Sequence, residues 1–160
     1  HDYLQLFEGS PEFDKVQRFA ARVYDLSQYL DEILQVNYED KGEKIKVAWH
    51  SNCHALRVAK SVEASKNLIR KFANVELLEL EHEEECCGFG GTFAVKESDI
   101  SNAMALAKIE DIKKTGASYL ISGDGGCLLN ISGTMKRNGV DIKCLHLYDF
   151  LIKRLEGVPL

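Results

Sequence analysis

Four cysteines carry the chemistry that this sequence offers. Cys53, the adjacent pair Cys86-Cys87, and Cys127 are spaced C-x32-CC-x39-C. Gly88, Gly90 and Gly91 follow the pair, and Gly123, Gly125 and Gly126 precede Cys127. Glycine removes a side chain where backbone must approach another group closely, so amides in these loops can point at sulfur. Thiolates supported by amide hydrogen bonds suit an iron–sulfur cluster, whose potential depends on such bonds, and they also suit tetrahedral zinc. Spacing alone does not separate the two. The short C-x2-C knuckles usual in zinc sites are absent, which tilts the reading toward iron–sulfur.

His50 and His54 flank Cys53, and an imidazole beside thiolates serves as ligand, supporting donor or proton relay. Both are candidate metal ligands, against the simpler reading of surface histidines. His82 sits in Glu81-His82-Glu83-Glu84-Glu85, a run expected to be a solvated loop face. Asp124 reads as an N-cap for the segment carrying Cys127. Arg57, Lys60 and Lys96 lie near the cysteine loops and could offset charge there, although solvated cations are the commoner case. Thiol–disulfide exchange at Cys86-Cys87 is the weakest chemical reading, because neighbouring cysteines close a small strained ring.

These residues must be positioned by regular elements, and the chain alternates between two periods. Ser10-Pro11 reads as a helix start, with Phe13, Val16, Ala20 and Val23 at helical spacing and Leu26, Leu30, Ile33 and Leu34 continuing. The stretch from His1 to Gly9 has no clear period. From Lys44 onward Ile45, Val47 and Trp49 alternate as in a strand, and Val62, Ser65, Ile69 and Phe72 mark a helix. Val75 to Leu80, Ser118 to Ser122 and Ile142 to Leu145 read as further strands. Helices are expected from Ser98 to Gly116, from about Leu128 to Arg137, and from Tyr148 to Leu155. Strands alternating with helices predict an α/β fold, a parallel-sheet sandwich with helices on both faces, preceded by an N-terminal helical segment.

On that map Cys53, Cys86-Cys87 and Cys127 follow three successive strands. Loops beyond the C-termini of parallel strands converge on one edge, where such folds build ligand sites. The competing reading, buried core thiols, gives no reason for three equivalent loop positions. Cys144 is the contrast, since it lies within the fourth strand pattern and reads as a packed core thiol.

Composition narrows the function classes. The 160 residues are 45% hydrophobic and 28% charged, as in an ordinary globule. A net charge of -5 with no basic cluster argues against nucleic acid as the partner. No apolar run is long enough to span a bilayer, so no direct membrane insertion is expected. Five cysteines without a secretory signal place the protein, as an expectation, in the cytoplasm, where thiols serve metals or catalysis more often than disulfides.

The segments His50-Ser51-Asn52-Cys53-His54-Ala55-Leu56-Arg57, Cys86-Cys87-Gly88-Phe89-Gly90-Gly91-Thr92-Phe93-Ala94-Val95-Lys96 and Gly123-Asp124-Gly125-Gly126-Cys127-Leu128-Leu129-Asn130-Ile131 together resemble the cysteine-rich CCG-domain family. That family includes the cysteine-rich component of heterodisulfide reductase, the iron–sulfur components of glycolate oxidase and anaerobic glycerol-3-phosphate dehydrogenase, and the lactate-utilisation A proteins, which the sequence resembles in particular. The resemblance implies a [4Fe–4S] cluster, with zinc as the alternative, bound by Cys53, Cys86, Cys87 and Cys127. It further implies an electron-transfer subunit of a multi-subunit lactate or other 2-hydroxy-acid oxidising system, with a ferredoxin-like iron–sulfur protein among its partners. A zinc-stabilised interaction module within a redox complex is the alternative function.

Family members carry two such modules. Residues 1–42 are therefore expected to be a helical preamble and linker from an upstream module, and 43–160 the cysteine-rich domain. Many members end the motif with C-x2-C, whereas Asn130 stands at the last position here, and Ser51 stands where similar proteins often have aspartate. The missing cysteine counts against the non-cubane double cluster that resemblance to heterodisulfide reductase implies, and the four thiolates left are enough for one [4Fe–4S] cluster or for zinc.

Overall fold

Alternation decides which side of the sheet each strand residue serves. In β1 (Ile45–His50) the odd residues Val47 and Trp49 face one core, while Ala48 faces the other. In a computed structural model, which describes residues 2–160, β1 pairs in parallel with β2 (Val75–Leu78) and β3 (Tyr119–Ser122), and β3 pairs with β4 (Lys143–His146). The described residues thus form a four-stranded, all-parallel sheet in the order β2-β1-β3-β4. The chain moves outward in one direction from β1 and in the other from β3, so the crevice between their C-termini is the topological switch point, where such sheets bind ligands.

The α-helices in chain order are α1 (Asp2–Leu6), α2 (Phe13–Ala20), α3 (Leu26–Gln28), α4 (Val62–Arg70), α5 (Phe93–Lys96), α6 (Ser98–Thr115), α7 (Gly125–Arg137) and α8 (Leu147–Glu156). α4 and α8 cover one face, where Leu68, Ile69, Phe72, Phe150 and Leu151 meet Val47, Trp49 and Ile121. α6 and α7 cover the other, where Ile109, Ile112, Ile131 and Met135 meet Ala48 and Leu120. Each large side chain buried there contributes about 1.5–3 kcal/mol. The expected α/β sandwich with helices on both faces is the observed architecture.

Several boundaries differ from those expected. Residues 2–6, read as non-periodic, form a turn of helix whose Tyr3 packs edge-on against Phe19 of α2, with ring centroids 6.4 Å apart. Ser10 does not cap α2 directly: its Oγ accepts the Glu12 N–H at 3.2 Å, closing a turn before the helix begins at Phe13. Tyr29–Ile33 continues α3 as a π-helical turn. The second strand stops at Leu78 and not at Leu80. Helix α7 begins at Gly125, three residues before Leu128, because the Asp124 carboxylate accepts the Cys127 N–H at 2.8 Å and caps it there.

The segment ahead of the sheet is bound to it through several contacts. Leu30, Val36 and Tyr38 pack against the α4/α8 core. Lys71 pairs with Asp31 at 2.7 Å. Asp40 is paired with Arg154 of α8, both side chains being almost wholly buried, and it also accepts the Asn74 N–H at 2.8 Å.

Candidate metal centre

Each cysteine reaches the switch point on a differently built loop. Cys53 follows β1 in a turn capped by Asn52, whose Oδ1 accepts the Ala55 N–H at 2.8 Å. Cys127 lies in the first turn of α7, fixed by the Asp124 cap. The pair Cys86-Cys87 lies on the long connection after β2, which has no regular structure through its cysteines and must be held by side chains.

That connection is held from three sides. Lys66 of α4 donates to Glu79 at 2.6 Å and to Glu83 at 2.7 Å, and Glu83 accepts from the Ser51 hydroxyl, which in turn accepts the Trp49 indole N–H at 2.9 Å. From α6, the Asp111 carboxylate accepts the N–H groups of Glu81 at 3.2 Å and His82 at 2.9 Å, and Lys108 donates to the His82 carbonyl. From α7, Asn130 Nδ2 donates to the Cys87 carbonyl at 2.9 Å. The run from Glu81 to Glu85 is therefore not simply the solvated face expected of it. Its outer carboxylates are exposed, but the Glu83 side chain is only 19% exposed and ties the loop to Ser51, just beyond β1, and to Lys66 of α4.

Two glycines permit the close approach. Gly88 has φ of +81° and lies so near α6 that a Cβ would stand 2.5 Å from the Ser101 carbonyl oxygen. A Cβ on Gly126 would meet the Phe89 ring at 2.5 Å. With the backbone so placed, the Gly88 N–H donates to Cys86 Sγ at 3.4 Å and the Phe89 N–H to Cys87 Sγ at 3.5 Å.

Cys53, Cys86, Cys87 and Cys127 all line one cavity of about 170 Å³, together with His50 and His54. They occupy two levels. Cys53 and Cys86 are exposed at the rim, as is His54, while Cys87 and Cys127 are buried at the base. Cys87 Sγ and Cys127 Sγ are 3.0 Å apart, in direct contact. His50 joins them: one nitrogen of its ring and the two sulfurs all lie within 4.8 Å of one another, a buried group able to hold a metal ion. Arg57 and Asp124 also border the cavity. A larger groove of about 660 Å³ beside it, walled by Glu63, Lys66 and the Glu81–Glu85 run, contains no thiol.

The close contact with Cys127, helped by the Phe89 N–H, holds the Cys87 thiol below its ordinary value against the opposing effect of burial. The same contact, together with burial, raises the Cys127 thiol. The Phe89 N–H donated to Cys87 Sγ favours the thiolate form that soft metals require. Cys144 lies away from the cavity in β4, with its Sγ 3.8 Å from Met135 Sδ, and burial alone pushes its thiol up to about 11.

Soft sulfur donors, amide hydrogen bonds to two of the sulfurs, and a buried imidazole with both nitrogens unpartnered fit a thiolate-bound metal centre. Sequence reasoning missed the residues that brace this site. Lys66 and Lys108 are 4% and 1% exposed, yet a lysine in a helix reads as solvated. Asp111 and Asn130 carry no motif of their own. A signal was available for Lys108, which follows Ala105 and precedes Ile109 and Ile112 on the inward side of α6.

No helix among the described residues is long and apolar enough to cross a membrane. The family model for the CCG cysteine-rich domain matches residues 47–132, from β1 through most of α7. Lactate utilization protein A of Oceanobacillus iheyensis is 36% identical over 157 residues, covering 98% of this chain and 64% of that protein. The protein of the same name from Shouchella clausii is 40% identical over 153 residues, covering 94% and 63% respectively, and that of Halalkalibacterium halodurans is 38% identical over 152 residues, covering 94% and 62%. The chain thus spans a little under two thirds of these relatives' lengths. A match across the strands and loops that carry all four clustered cysteines shows that the chain belongs to the CCG cysteine-rich domain family.

Proposed function

We propose that this chain is part of an iron–sulfur electron-transfer subunit of a multi-subunit L-lactate, or other 2-hydroxy-acid, oxidising system, working in the cytoplasm. Cys53, Cys86, Cys87 and Cys127 are the proposed ligands of a cluster, [4Fe–4S] in this reading. The observation that carries it is the convergence of these four thiols, from the segments that follow three parallel strands, on one cavity. The names of the relatives supply the lactate context. A ferredoxin-like iron–sulfur protein and further subunits are the proposed partners.

The cluster, when bound, supplies a one-electron carrier. The chain's own residues do the rest. The N–H groups of Gly88 and Phe89 donate to sulfur and stabilise thiolate charge. Cys87 and Cys127 sit where Ile131, Leu128 and Ala48 exclude water. Cys53 and Cys86 face solvent, leaving an exit for an electron toward a docked partner. Burial and the clamps on the Cys86-Cys87 loop limit the reorganisation that a change of charge would otherwise demand.

A second reading, a zinc-stabilised interaction module within a redox complex, is favoured by the compact group of His50, Cys87 and Cys127, since mixed sulfur and nitrogen ligation is usual for zinc. Anaerobic purification of the full-length protein, with iron, zinc and acid-labile sulfide analysis beside optical and EPR spectra, separates the two. Iron and sulfide in comparable amounts are expected. Zinc alone, free of sulfide, would defeat the electron-transfer reading.

A further inference from the structure

We propose that His50 is a nitrogen ligand of this centre, so that the metal is held by mixed imidazole and thiolate donors instead of by cysteine alone. The inference rests on the reading of the cavity as a metal centre and amends its four-cysteine ligand set: four irons offer four terminal positions, so His50, grouped with the buried Cys87 and Cys127, takes the place of one of the exposed rim thiols, Cys53 or Cys86.

The placement of His50 follows from the sheet. It is the last residue of β1, in register with Ser122 of β3, and Ser122 Oγ donates to its carbonyl at 2.9 Å. Its backbone is therefore fixed by a neighbour on the side where Cys127 arrives. Because strand side chains alternate, His50 shares the face of Ala48, which packs in the same cluster as Cys87 and Cys127. The period of the strand that buries Ala48 thus sends the imidazole to the base of the cavity.

What it finds there is unusual for a histidine. The residue is 1% exposed, and neither Nδ1 nor Nε2 has a hydrogen-bond partner among the described residues. An imidazole has two ring nitrogens that each call for a partner, and leaving a buried polar group unpaired is unfavourable. One ring nitrogen shares the 4.8 Å neighbourhood of the Cys87 and Cys127 sulfurs. The other described histidines are accommodated differently. His146 spans the Gly123 carbonyl and the Tyr148 N–H, while His54 and His82 are exposed. A metal bound by the two sulfurs gives the His50 lone pair its partner.

The class of metal follows from the donors. One imidazole with thiolates suits zinc or an iron of an iron–sulfur cluster and not a hard cation. On iron, a histidine in place of a thiolate raises the reduction potential, so the centre would accept electrons more readily than an all-cysteine one.

The test uses full-length protein purified anaerobically, with histidine at natural abundance or labelled with nitrogen-15, and examined by pulsed EPR in its paramagnetic state. The expected result is a strongly coupled nitrogen whose frequencies change with the label and which disappears in His50→Ala. His50→Cys, which offers sulfur at the same position, is expected to keep iron, lose the nitrogen coupling and lower the potential. A centre with iron and sulfide but without a strongly coupled histidine nitrogen overturns the inference and leaves the proposed function intact. So does a coupling that persists in His50→Ala. Because the label comparison uses the unaltered chain, a folding defect in a variant does not obscure the outcome. Should the protein hold zinc without iron, the electron-transfer reading falls, and cobalt substitution decides the ligand: a spectrum shifted by His50→Ala supports it, and an unchanged one refutes it.

Discussion

Cys87 Sγ and Cys127 Sγ lie 3.0 Å apart although they are 40 positions apart in sequence. The two thiols come from unlike supports. Cys127 stands in the first turn of a long helix, fixed by the Asp124 cap, whereas Cys87 sits on an irregular loop braced by α4, α6 and α7. Their meeting therefore reports on how well that loop is held, and the loop's braces are the places where the site can be tested without touching a thiol.

The cysteines themselves separate site from core. Cys87→Ser replaces a thiolate with a weakly acidic oxygen, so iron content is expected to fall severalfold while the far-ultraviolet dichroism of the α/β core persists. Cys144→Ala removes a partly buried sulfur packed on Met135 and is expected to cost about 1–2 kcal/mol with iron content unchanged. Iron analysis beside thermal denaturation checks both; equal iron loss in the two variants would place Cys144 in the ligand set.

Gly88 and Gly126 should differ in tolerance. A methyl group at Gly88 meets a backbone oxygen of α6 and requires a positive φ, and neither can give easily, so Gly88→Ala is expected to destabilise by about 2–3 kcal/mol. At Gly126 the obstacle is the Phe89 ring, which can rotate aside, and about 1 kcal/mol is expected. Urea denaturation of the two variants gives the order, and a Gly126→Ala cost above that of Gly88→Ala would contradict it.

Glu83 couples the loop to the body of the fold. Glu83→Gln keeps the shape but removes one of the two carboxylates facing the nearly buried Lys66 ammonium. Since Glu79 remains, the expected loss is about 1–2 kcal/mol. Amide hydrogen exchange should accelerate from Glu81 to Cys87 before it does in β1 or β3, and uniform acceleration across the sheet would show that the brace is not local.

Acid sensitivity is expected at the Asp40–Arg154 pair. Burial by itself would raise the Asp40 pKa, but the Arg154 guanidinium and the N–H groups of Gly42 and Asn74 outweigh it and hold the carboxyl below its ordinary 3.8. A depressed pKa gives stability that is present above the unfolded-state value and lost as pH falls through the folded one. Asp40→Asn should therefore flatten the fall in stability below about pH 4. At neutral pH it should cost about 3–5 kcal/mol by leaving the buried Arg154 unpaired. Denaturant titrations at several pH values check both, and an unchanged acid slope would refute the assignment.

The sequence by itself determined the class of fold and the location of the candidate site, because both rest on local patterns. Alternation in Ile45–Trp49 and helical spacing in Val62–Phe72 are properties of a few neighbouring residues. Once three cysteine positions follow three parallel strands, the rule that such loops share one edge brings them together. The separation of Cys144 from the other four was legible for the same reason, since it sits inside a strand and not beyond one.

Only the tertiary structure decided the two-level arrangement, with Cys87, Cys127 and His50 buried and Cys53, Cys86 and His54 at the rim. Burial of a loop residue depends on what distant elements lay across it. The brace of Lys66, Lys108, Asp111 and Asn130 was invisible for a related reason. Each is a polar residue on a helix, and the sequence pattern of a solvated face is the same whether a carboxylate or an ammonium meets water or a loop folded over it. His50 shows both sides: its place at the end of a strand could be read from alternation with Ala48, but its unpartnered nitrogens became evident only when β3, α7 and the Cys86-Cys87 loop had closed around it.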